Sequence, residues 1–544
     1  MPVPADIGAL KAALAAADDV IGQAAAHLGA QGPGTVDANQ VVAYDLAHGA
    51  AGVAVARAAA DYGAHGDTEA ALACAFVADA VFELAAMVLG RESQWGVTTD
   101  ALGGAMGVVR AYRDPAFVAS LATTEGPRHL DGDFEMVQDA FRRFAEDKIR
   151  PVADEIHRSN GDIPEEVIEG LAEMGCFGLS VPERYGGFAS GGSSDLLGMV
   201  IATEELSRAS LGVGGSLITR PEILTRALLK GGTEEQKQAW LPLIAAGERM
   251  VAVAVTEPDY GSDVAGLKVS ATPAPGGGWV INGVKTWCTF AARAEVLMLL
   301  ARTDPDRSRA HRGLSLFIVP KPRTDGRGFV IDQATLGAGG SGRLEGRPID
   351  TIGYRGMHSF ELAFSDWWVP AESLIGGEAG LGRGFYWQME GFEAGRLQTA
   401  ARAIGVMQAA YEAARDYAAQ RVAFGRPIAD YQVTQARLGR MAALIQACRQ
   451  HMYGVARLMA GGAGSLEASM LKAYVCRAAE WVTRQAMQVH GGMGYAEEFP
   501  VSRYFVDARV LSIFEGADEV LALKVVARRL VEQAAVPGGD QRER

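Results

Sequence analysis

The chain has 544 residues, a formal net charge of −14, 49% hydrophobic and 21% charged residues. This length suits three or four domains, and the apolar content excludes a disordered chain. The acidity argues against nucleic acid as a partner, because phosphate binding needs a clustered basic surface. Five scattered cysteines without a CxxC pair argue against a disulfide framework and a structural zinc site, so we expect no metal.

The N-terminus gives no targeting signal. It begins MPVPADIGAL and has no basic segment of the kind that opens a secretory signal. Its alanine-rich runs are interrupted by Asp18 and Asp19 well before membrane-spanning length. We therefore expect a cytoplasmic protein with no membrane partner.

The first 130 residues are alanine-rich, with apolar residues at helical spacing such as Val77, Val81, Leu84 and Val88. The pattern predicts several packed helices. Its histidines, His27, His48 and His65, have no acid or nucleophile pattern near them in the sequence. We expect a helical extension that covers a groove or an interface and carries no chemistry of its own.

Beyond the extension, helical patterns run from Asp131 to about Ala246, and long helical patterns return after Gly384, with a glycine break at 461–464. Between them lie short β-branched or alternating runs, such as Val296–Leu300 and Leu314–Val319, separated by Gly, Pro and Asp turns, which predict an antiparallel β domain. The predicted class is α+β. The predicted domains are a helical extension (1–130), a helical domain (131–249), the β domain (250–376), a C-terminal helical domain (377–535) and a flexible tail (536–544).

Two segments at strand ends carry candidate binding residues. In AVTEPDYGSDVAG (254–266), the hydroxyls of Thr256 and Ser262 and nearby backbone amides could hold an anion or a polar ring edge, although such loops are common. In GVKTWCTF (283–290), Trp287 and Thr289 are two residues apart and are predicted to share a strand face. They could contact a flavin ring; otherwise Trp287 is a core residue.

Two later segments complete the set. In QVHGGMGYAEEFPVSRYFVD (488–507), neighbouring glycines allow a close approach of backbone to a ligand, and Gln488 can supply an amide contact. Glu515 stands between Phe514 and Gly516, and desolvation by apolar neighbours favours a carboxyl that readily takes up a proton, as a general base does. A helix-capping role is the alternative for Glu515.

The order and spacing of these four segments resemble the acyl-CoA dehydrogenase family over about residues 131–530. PERYGG (182–187), RVAFGRPI (421–428) and YQ (431–432) are further family landmarks. The third segment fits a family signature at every position: Gln488, Gly491, Gly492, Gly494, Tyr495, Glu498, Arg503 and Asp507.

The resemblance implies FAD-dependent oxidation of an acyl-CoA thioester. Glu515 would remove the proton next to the thioester carbonyl, and the neighbouring carbon would lose a hydride to the flavin. The backbone N–H of Glu515 would be one donor to the carbonyl oxygen. Some relatives carry the base directly before an arginine on another helix, but Gly395 precedes Arg396 here.

The resemblance also implies the cofactor contacts. The flavin would be held by Val255, Thr256, Ser262, Trp287 and Thr289. The adenosine diphosphate part would be approached from a neighbouring subunit by Arg421, Phe424, Gln432, Gln488, Gly491 and Gly492, so we expect a homodimer or homotetramer. Ala517 and Glu519 stand where the family has Thr and Gln, so these two adenine-side contacts depart from the family pattern.

For the substrate, the resemblance implies Ser262, Glu393, Arg396 and Gly516. The long extension and the segment 350–370 are most similar to the family branch that oxidises 2-methylsuccinyl-CoA to mesaconyl-CoA, a short branched dicarboxylic thioester. Relatives that act on glutaryl-CoA carry an arginine where this chain has GVGGS (212–216). The candidates for a distal carboxylate are therefore Arg220, Arg355 and His358, and each of them could equally be structural.

Other functions stay open at this stage. The chain could oxidise another short branched acyl-CoA, or pass electrons to oxygen as an oxidase rather than to electron-transferring flavoprotein. A DNA-binding flavoprotein is disfavoured by the net charge of −14 and by the intact Glu515. The glycines at 380, 382 and 384 lack the surrounding βαβ unit of a nicotinamide site.

Overall fold

The chain divides into two units, Met1–Met136 with Thr399–Arg544 and Val137–Gln398. The computed structural model describes residues 4–192, 194–324, 327–337 and 340–535. The predicted flexible tail, 536–544, lies outside the described residues.

Before the sheet the helices are α1 (Ile7–Gly29), α2 (Thr35–Ala38), α3 (Gln40–Tyr62), α4 (Asp67–Val88), α5 (Glu92–Trp95), α6 (Met106–Tyr112), α7 (Pro115–Ser120), α8 (Gly132–Phe144), α9 (Arg150–Ser159), α10 (Glu165–Glu173), α11 (Asp195–Ala209), α12 (Thr219–Gly231) and α13 (Glu234–Ala245). After it come α14 (Gly384–Gln420), α15 (Gln432–Ala460), α16 (Ser465–His490), α17 (Val501–Leu511), α18 (Asp518–Val520) and α19 (Arg528–Ala535).

In the first unit, the N-terminal helices and the C-terminal helices share one core. Helix α3 contacts α1 and α4 of the extension and also α15 and α16. Small residues allow this close packing: a Cβ on Gly52 of α3 would lie 3.4 Å from the ring of Tyr474 on α16. Alanines along α3, such as Ala43, Ala56 and Ala59, are fully or almost fully buried. The extension therefore buries its apolar face against the C-terminal bundle.

Helix α4 is, within the described residues, the one helix long and apolar enough to span a membrane. Of its most apolar 18-residue window, 61% is buried inside the fold. It contacts α3 and α15. Packing in the helical core accounts for its apolar sequence.

The second unit contains an eight-stranded sheet with the order β1-β4-β2-β3-β8-β7-β6, and β5 pairs with β4. The strands are β1 (Val251–Ala254), β2 (Ser270–Pro273), β3 (Trp279–Thr289), β4 (Val296–Arg302), β5 (Leu314–Pro320), β6 (Phe329–Asp332), β7 (Arg343–Ile349) and β8 (Ser359–Val369). Most pairs are antiparallel, as predicted. The exception is β4, which pairs in parallel with both β1 and β2, so the sheet is mixed.

The core of this unit lies between the sheet and helices α12 and α13. Fully buried side chains from the strands meet fully buried side chains from the helices: Val296, Leu300, Leu314, Leu316, Leu224, Leu228, Leu241 and Ile244. At about 25 cal/mol per Å² of apolar area, such burial is the main term that holds sheet and helices together. A short two-stranded hairpin, β9 (Val422–Ala423) and β10 (Arg426–Pro427), follows α14 in the first unit.

Candidate active site

The turn after β1 carries two of the predicted flavin contacts, Val255 and Thr256. The carbonyl of Val255 accepts a hydrogen bond from Lys285 Nζ at 2.8 Å, and the carbonyl of Thr256 accepts one from the Thr286 N–H at 2.9 Å. Both donors lie on β3. The Thr256 backbone is thus fixed against the strand that carries Trp287, whereas Ser262, further along the turn, is exposed.

A buried ion pair supports this turn. The Lys285 side chain is fully buried, and its Nζ lies 2.9 Å from Glu257 Oε1. The same carboxylate accepts the backbone N–H groups of Lys268 and Val269 at 2.7 and 2.8 Å. Burial lowers the pKa of Lys285 to about 8, although the Glu257 carboxylate acts in the opposite direction.

Replacing Lys285 with Met should lower the free energy of unfolding by about 3 to 5 kcal/mol, because Glu257 would keep a buried charge without its cation. Urea unfolding at pH 7 measures the effect, and the double variant Lys285→Met/Glu257→Gln should recover part of the loss. Since the folded pKa of Lys285 lies below the ordinary 10.5, the unfolded chain binds more protons between these values. Lys285 therefore makes wild-type stability rise with pH from 8 to 10.5, a rise that the single variant should lack. An equal slope in both proteins would contradict this assignment.

The spacing of Trp287 and Thr289 predicts that they share a strand face, but the structure places the two side chains in different environments. The side chain of Trp287 is 56% exposed, whereas Thr289 is buried with its Oγ1 3.1 Å from Ser359 Oγ. The reason is a bulge: the pairing of β3 with β8 shifts register between Lys285 and Cys288, and Trp287 has a φ of +59°. A bulge interrupts strand alternation and re-aims a side chain. Here it presents an indole to solvent beside the Thr256 turn.

The hairpin β9–β10 presents Phe424 to solvent. Phe424 and Gly425 form its two-residue turn with φ values of +51° and +85°, and the Phe424 side chain is 99% exposed. Such a turn favours Asn or Asp followed by Gly, so a phenylalanine at this position is costly. A fully exposed ring on a left-handed turn is expected where the ring has a ligand or subunit to contact. Arg421, at the base of the hairpin, is exposed as well.

The glycine segment lies at the same end of the helical bundle. Tyr417 of α14 stacks on His490 of α16 with ring centroids 4.3 Å apart, which brings the end of α14 beside Gln488. Gln488 and the two glycines that follow His490 are exposed, and a Cβ on Gly491 or Gly492 would meet open space. The predicted adenosine-side residues Arg421, Phe424, Gln432, Gln488, Gly491 and Gly492 are all exposed.

Glu515 lies in the loop between α17 and α18 with a φ of +54°. Its carboxylate Oε2 accepts hydrogen bonds from the Thr399 hydroxyl at 2.6 Å and from Arg402 Nη2 at 2.8 Å. The side chain is only 9% exposed. The predicted apolar setting is therefore incomplete, because a buried cation faces the carboxylate.

Arg402 is the charged residue beside Glu515 that the sequence analysis did not predict. It is fully buried on α14, and the same Nη2 also donates to Thr399 Oγ1 at 2.6 Å. A charged residue in the apolar run TAARAIG is costly to bury without a partner, so its position in an alanine-rich helix was the available signal. The partner itself is 113 residues away in the sequence.

The backbone around Glu515 is held by Lys472. The buried ammonium of this residue donates to the carbonyls of Phe514 and Gly516 at 2.8 and 2.5 Å. Gly516 has a φ of +100°, a conformation that favours glycine. Of the two residues that depart from the family pattern, Ala517 is half-buried and Glu519 is exposed.

The predicted substrate residues Glu393 and Arg396 lie three positions apart on α14 in the second unit and so share a helix face. Both are half-buried. Gly395, the position of the alternative base, is buried, and a Cβ on the neighbouring Gly391 would lie 2.9 Å from Ile223. Helix α14 is therefore closely packed on the face that carries Gly391 and Gly395.

The distal-carboxylate candidates lie near one another but have protein partners. Arg355 donates to the carbonyls of Thr351 and His157 at 3.0 and 2.7 Å. His358 Nε2 lies 2.9 Å from Asp162 Oδ1. Arg220 is buried, and its Nη1 donates to the Ser216 carbonyl at 3.3 Å.

Close packing explains the glycines of the segment 212–216. A Cβ on Gly212 would lie 2.1 Å from the carbonyl oxygen of Arg355. No side chain fits there without moving the backbone, so an arginine at Gly212 is excluded by the fold.

His48 has an acid beside it, which the sequence did not indicate. Its Nε2 lies 3.2 Å from Asp518 Oδ2, and the two residues are 470 positions apart. The described residues contain no group of three or more His, Cys, Asp or Glu side chains that could hold a metal ion.

Comparisons with known proteins show the family to which the chain belongs. Sequence models of the acyl-CoA dehydrogenase N-terminal, middle and C-terminal domains match residues 132–248, 252–367 and 382–531. A (2S)-methylsuccinyl-CoA dehydrogenase of Cereibacter sphaeroides is 44% identical over 75% of this chain and 71% of its own length. The butyryl-CoA dehydrogenase structure of Megasphaera elsdenii is 30% identical, with a TM-score of 0.66, over 74% of this chain and 99% of its own.

A structure of glutaryl-CoA dehydrogenase in a glutaryl-CoA complex is 29% identical, with a TM-score of 0.66, over 76% of this chain and 99% of its own. The chain belongs to the acyl-CoA dehydrogenase family, and it is an FAD-dependent oxidoreductase that acts on acyl-CoA. The residues present fit the cofactor, since an exposed indole lies beside a fixed threonine turn, and the predicted adenosine-side residues include a fully exposed phenylalanine and two glycines with open space beside them. The flavin-side and adenosine-side residues named above are those predicted to hold FAD.

Proposed function

We propose that this chain oxidises 2-methylsuccinyl-CoA to mesaconyl-CoA, with Glu515 as the base. The observation that carries the proposal is the setting of Glu515. Its nine-tenths buried carboxylate is fixed by Thr399 and Arg402 on one side, and its backbone is fixed by Lys472 on the other. A base must be pre-positioned within hydrogen-bond reach of the proton that it removes.

The reaction assigns separate tasks to the residues of the chain. Glu515 takes the proton from the α-carbon of the thioester, and its backbone N–H donates to the carbonyl oxygen as negative charge develops there. FAD, when bound, supplies the acceptor for the hydride of the β-carbon. Low exposure around Glu515 keeps water from competing for the proton.

The substrate assignment rests on similarity. The Cereibacter relative, 44% identical, is named for methylsuccinyl-CoA. Because the segment GVGGS (212–216) contains no arginine, a distal carboxylate here needs another cation. Arg220, Arg355 and His358 are the proposed partners, and each of them has a protein contact that the substrate would replace or share.

The remaining partners are proposed from the same resemblance. Electrons would leave through electron-transferring flavoprotein, and the enzyme would work in the cytoplasm. The exposed Phe424 and Arg421 would complete the cofactor site of a second copy, which makes the enzyme a homodimer or homotetramer.

The proposal is tested by anaerobic flavin bleaching of the purified protein. The panel is 2-methylsuccinyl-, glutaryl-, isobutyryl-, isovaleryl- and butyryl-CoA. We expect rapid bleaching with 2-methylsuccinyl-CoA and rates lower by about 10-fold or more with the monocarboxylic thioesters, since unpaired polar groups in a site penalise the wrong substrate. Faster bleaching by isobutyryl- or isovaleryl-CoA would reject the dicarboxylate and favour the other short branched substrates. Rapid reoxidation of the reduced flavin by oxygen would favour an oxidase.

A further inference from the structure

The N-terminal extension reaches the loop that carries the proposed base. On α3, Tyr44 and His48 are four residues apart and share one helix face. The Tyr44 hydroxyl donates a hydrogen bond to Asp518 Oδ2, and His48 Nε2 lies 3.2 Å from the same oxygen. Asp518 follows Glu515 by three residues. Two side chains of the extension therefore converge on one carboxylate oxygen beside the catalytic loop.

This cluster is buried and charged. The side chains of His48 and Asp518 are 3% and 12% exposed, and the rings of Tyr44 and His48 meet edge to face at 4.4 Å. Burial raises the pKa of Asp518. The contacts with His48 and Tyr44 lower it by more, so the pKa of Asp518 lies below its ordinary value. Burial, and then Asp518, raise the pKa of Tyr44. Tyr44 is thus a stable donor to an ionised Asp518.

The loop is held from two sides. Lys472 of α16 binds the carbonyls on either side of Glu515, and the extension binds Asp518 at the other end. Glu515 has a left-handed φ of +54°. A non-glycine residue in that region persists only where its surroundings impose it. Without the contact between Asp518 and the extension, the loop keeps its Lys472, Thr399 and Arg402 contacts but is held on one side fewer, so the backbone of Glu515 has more freedom to shift.

We propose that Tyr44 and His48 are positioning residues for the Glu515 loop, so that the extension supports catalysis through Asp518. This inference rests on the proposed function, because it takes Glu515 as the base. A displacement of a reacting group by about 1 Å costs on the order of 100-fold in rate, and a two-sided anchor prevents such a displacement. The extension then has a task beyond packing against the bundle.

The experiment compares the full-length holoenzyme with Tyr44→Phe, His48→Asn and the double variant. Asp37→Asn is the matched control, since Asp37 also links the extension to the C-terminal helices, through Lys524 and Arg528 at 2.6 and 3.1 Å, but not to the loop. Single-turnover flavin reduction is measured with the panel thioester that bleaches the wild type fastest, together with kcat, KM and FAD content.

We expect the double variant to reduce its flavin about 10- to 100-fold more slowly at saturating thioester, with FAD content and KM near wild type. Asp37→Asn should stay within about twofold. If the double variant does not fold, Tyr44→Phe alone decides, because it removes only one hydroxyl and should still slow reduction by about threefold or more. In a double-mutant cycle, Asp518→Asn and Tyr44→Phe should be non-additive.

Wild-type reduction rates in the Tyr44 and His48 variants would overturn the inference, as would an equal loss in Asp37→Asn. The two proposals fail in different ways. If Glu515→Gln reduces its flavin normally, the base is misassigned. If Glu515→Gln is inactive and the Tyr44 and His48 variants are fully active, the base stands and the positioning role of the extension is rejected.

Discussion

Glu515→Gln is expected to retain bound yellow flavin and to lose almost all flavin reduction by the acyl-CoA substrate. General base catalysis contributes about 10²- to 10⁴-fold, and a glutamine amide cannot accept the α-proton. The variant keeps the side-chain length and can still accept hydrogen bonds from Thr399 and Arg402, so folding and FAD content should change little. Anaerobic stopped-flow measurement of flavin absorbance after mixing with thioester gives the rate directly.

The control for this variant is Glu532→Gln, an exposed glutamate on α19 that lies outside the site. It should reduce its flavin at the wild-type rate. Reduction by Glu515→Gln at a normal rate would mean that another group removes the proton. Loss of flavin from Glu515→Gln would instead point to a structural effect of the substitution.

Much of the architecture could be predicted because it depends on local patterns. The runs at Val296–Leu300 and Leu314–Val319 predicted β4 and β5, since β-branched and apolar residues between turns favour strands. The glycine break near 461–464 predicted the boundary between α15 and α16. These features need no information from distant parts of the chain.

The parallel pairing of β4 with β1 could not be predicted in this way. Hydrophobic alternation defines a strand but does not determine its neighbour, and the partner of Val251 is Val296, across two intervening strands. The bulge at Trp287 could not be predicted for the same reason. Its register shift arises from pairing with β8, and no local signal in GVKTWCTF indicates it.

For the candidate site, sequence similarity predicted Glu515 as the base but did not predict its electrostatic setting. Asp518 and His48 meet from positions 470 residues apart, and Arg402 reaches Glu515 from another helix. Ion pairs of this kind arise only when helices pack together, so the local sequence around His48 or Arg402 does not identify the partner of either residue. The predicted apolar setting considered the neighbours of Glu515 in the chain and missed the cation that faces it in the fold.

The Arg402 cation is the basis of a second prediction with a large expected effect, which concerns the pH dependence of flavin reduction. With Arg402 at 2.8 Å, a buried cation stabilises the charged form of the Glu515 carboxylate, the proposed base. In Arg402→Met, which replaces the guanidinium with an apolar side chain, the cation is lost and the base is protonated at higher pH. The acid limb of the flavin-reduction rate against pH should therefore move upward by about one to three pH units.

Stopped-flow reduction between pH 5 and 9 measures the shift, and Arg402→Lys is the matched control because it keeps a positive charge at this position. The acid limb of Arg402→Lys should stay close to that of the wild type, even if its rate at high pH falls through a less favourable geometry. An unmoved acid limb in Arg402→Met, with FAD bound, would show that the limb belongs to another group. Since Arg402 also donates to Thr399, Thr399→Val should shift the limb in the same direction by a smaller amount, because it removes one hydrogen bond to the carboxylate and leaves the cation in place.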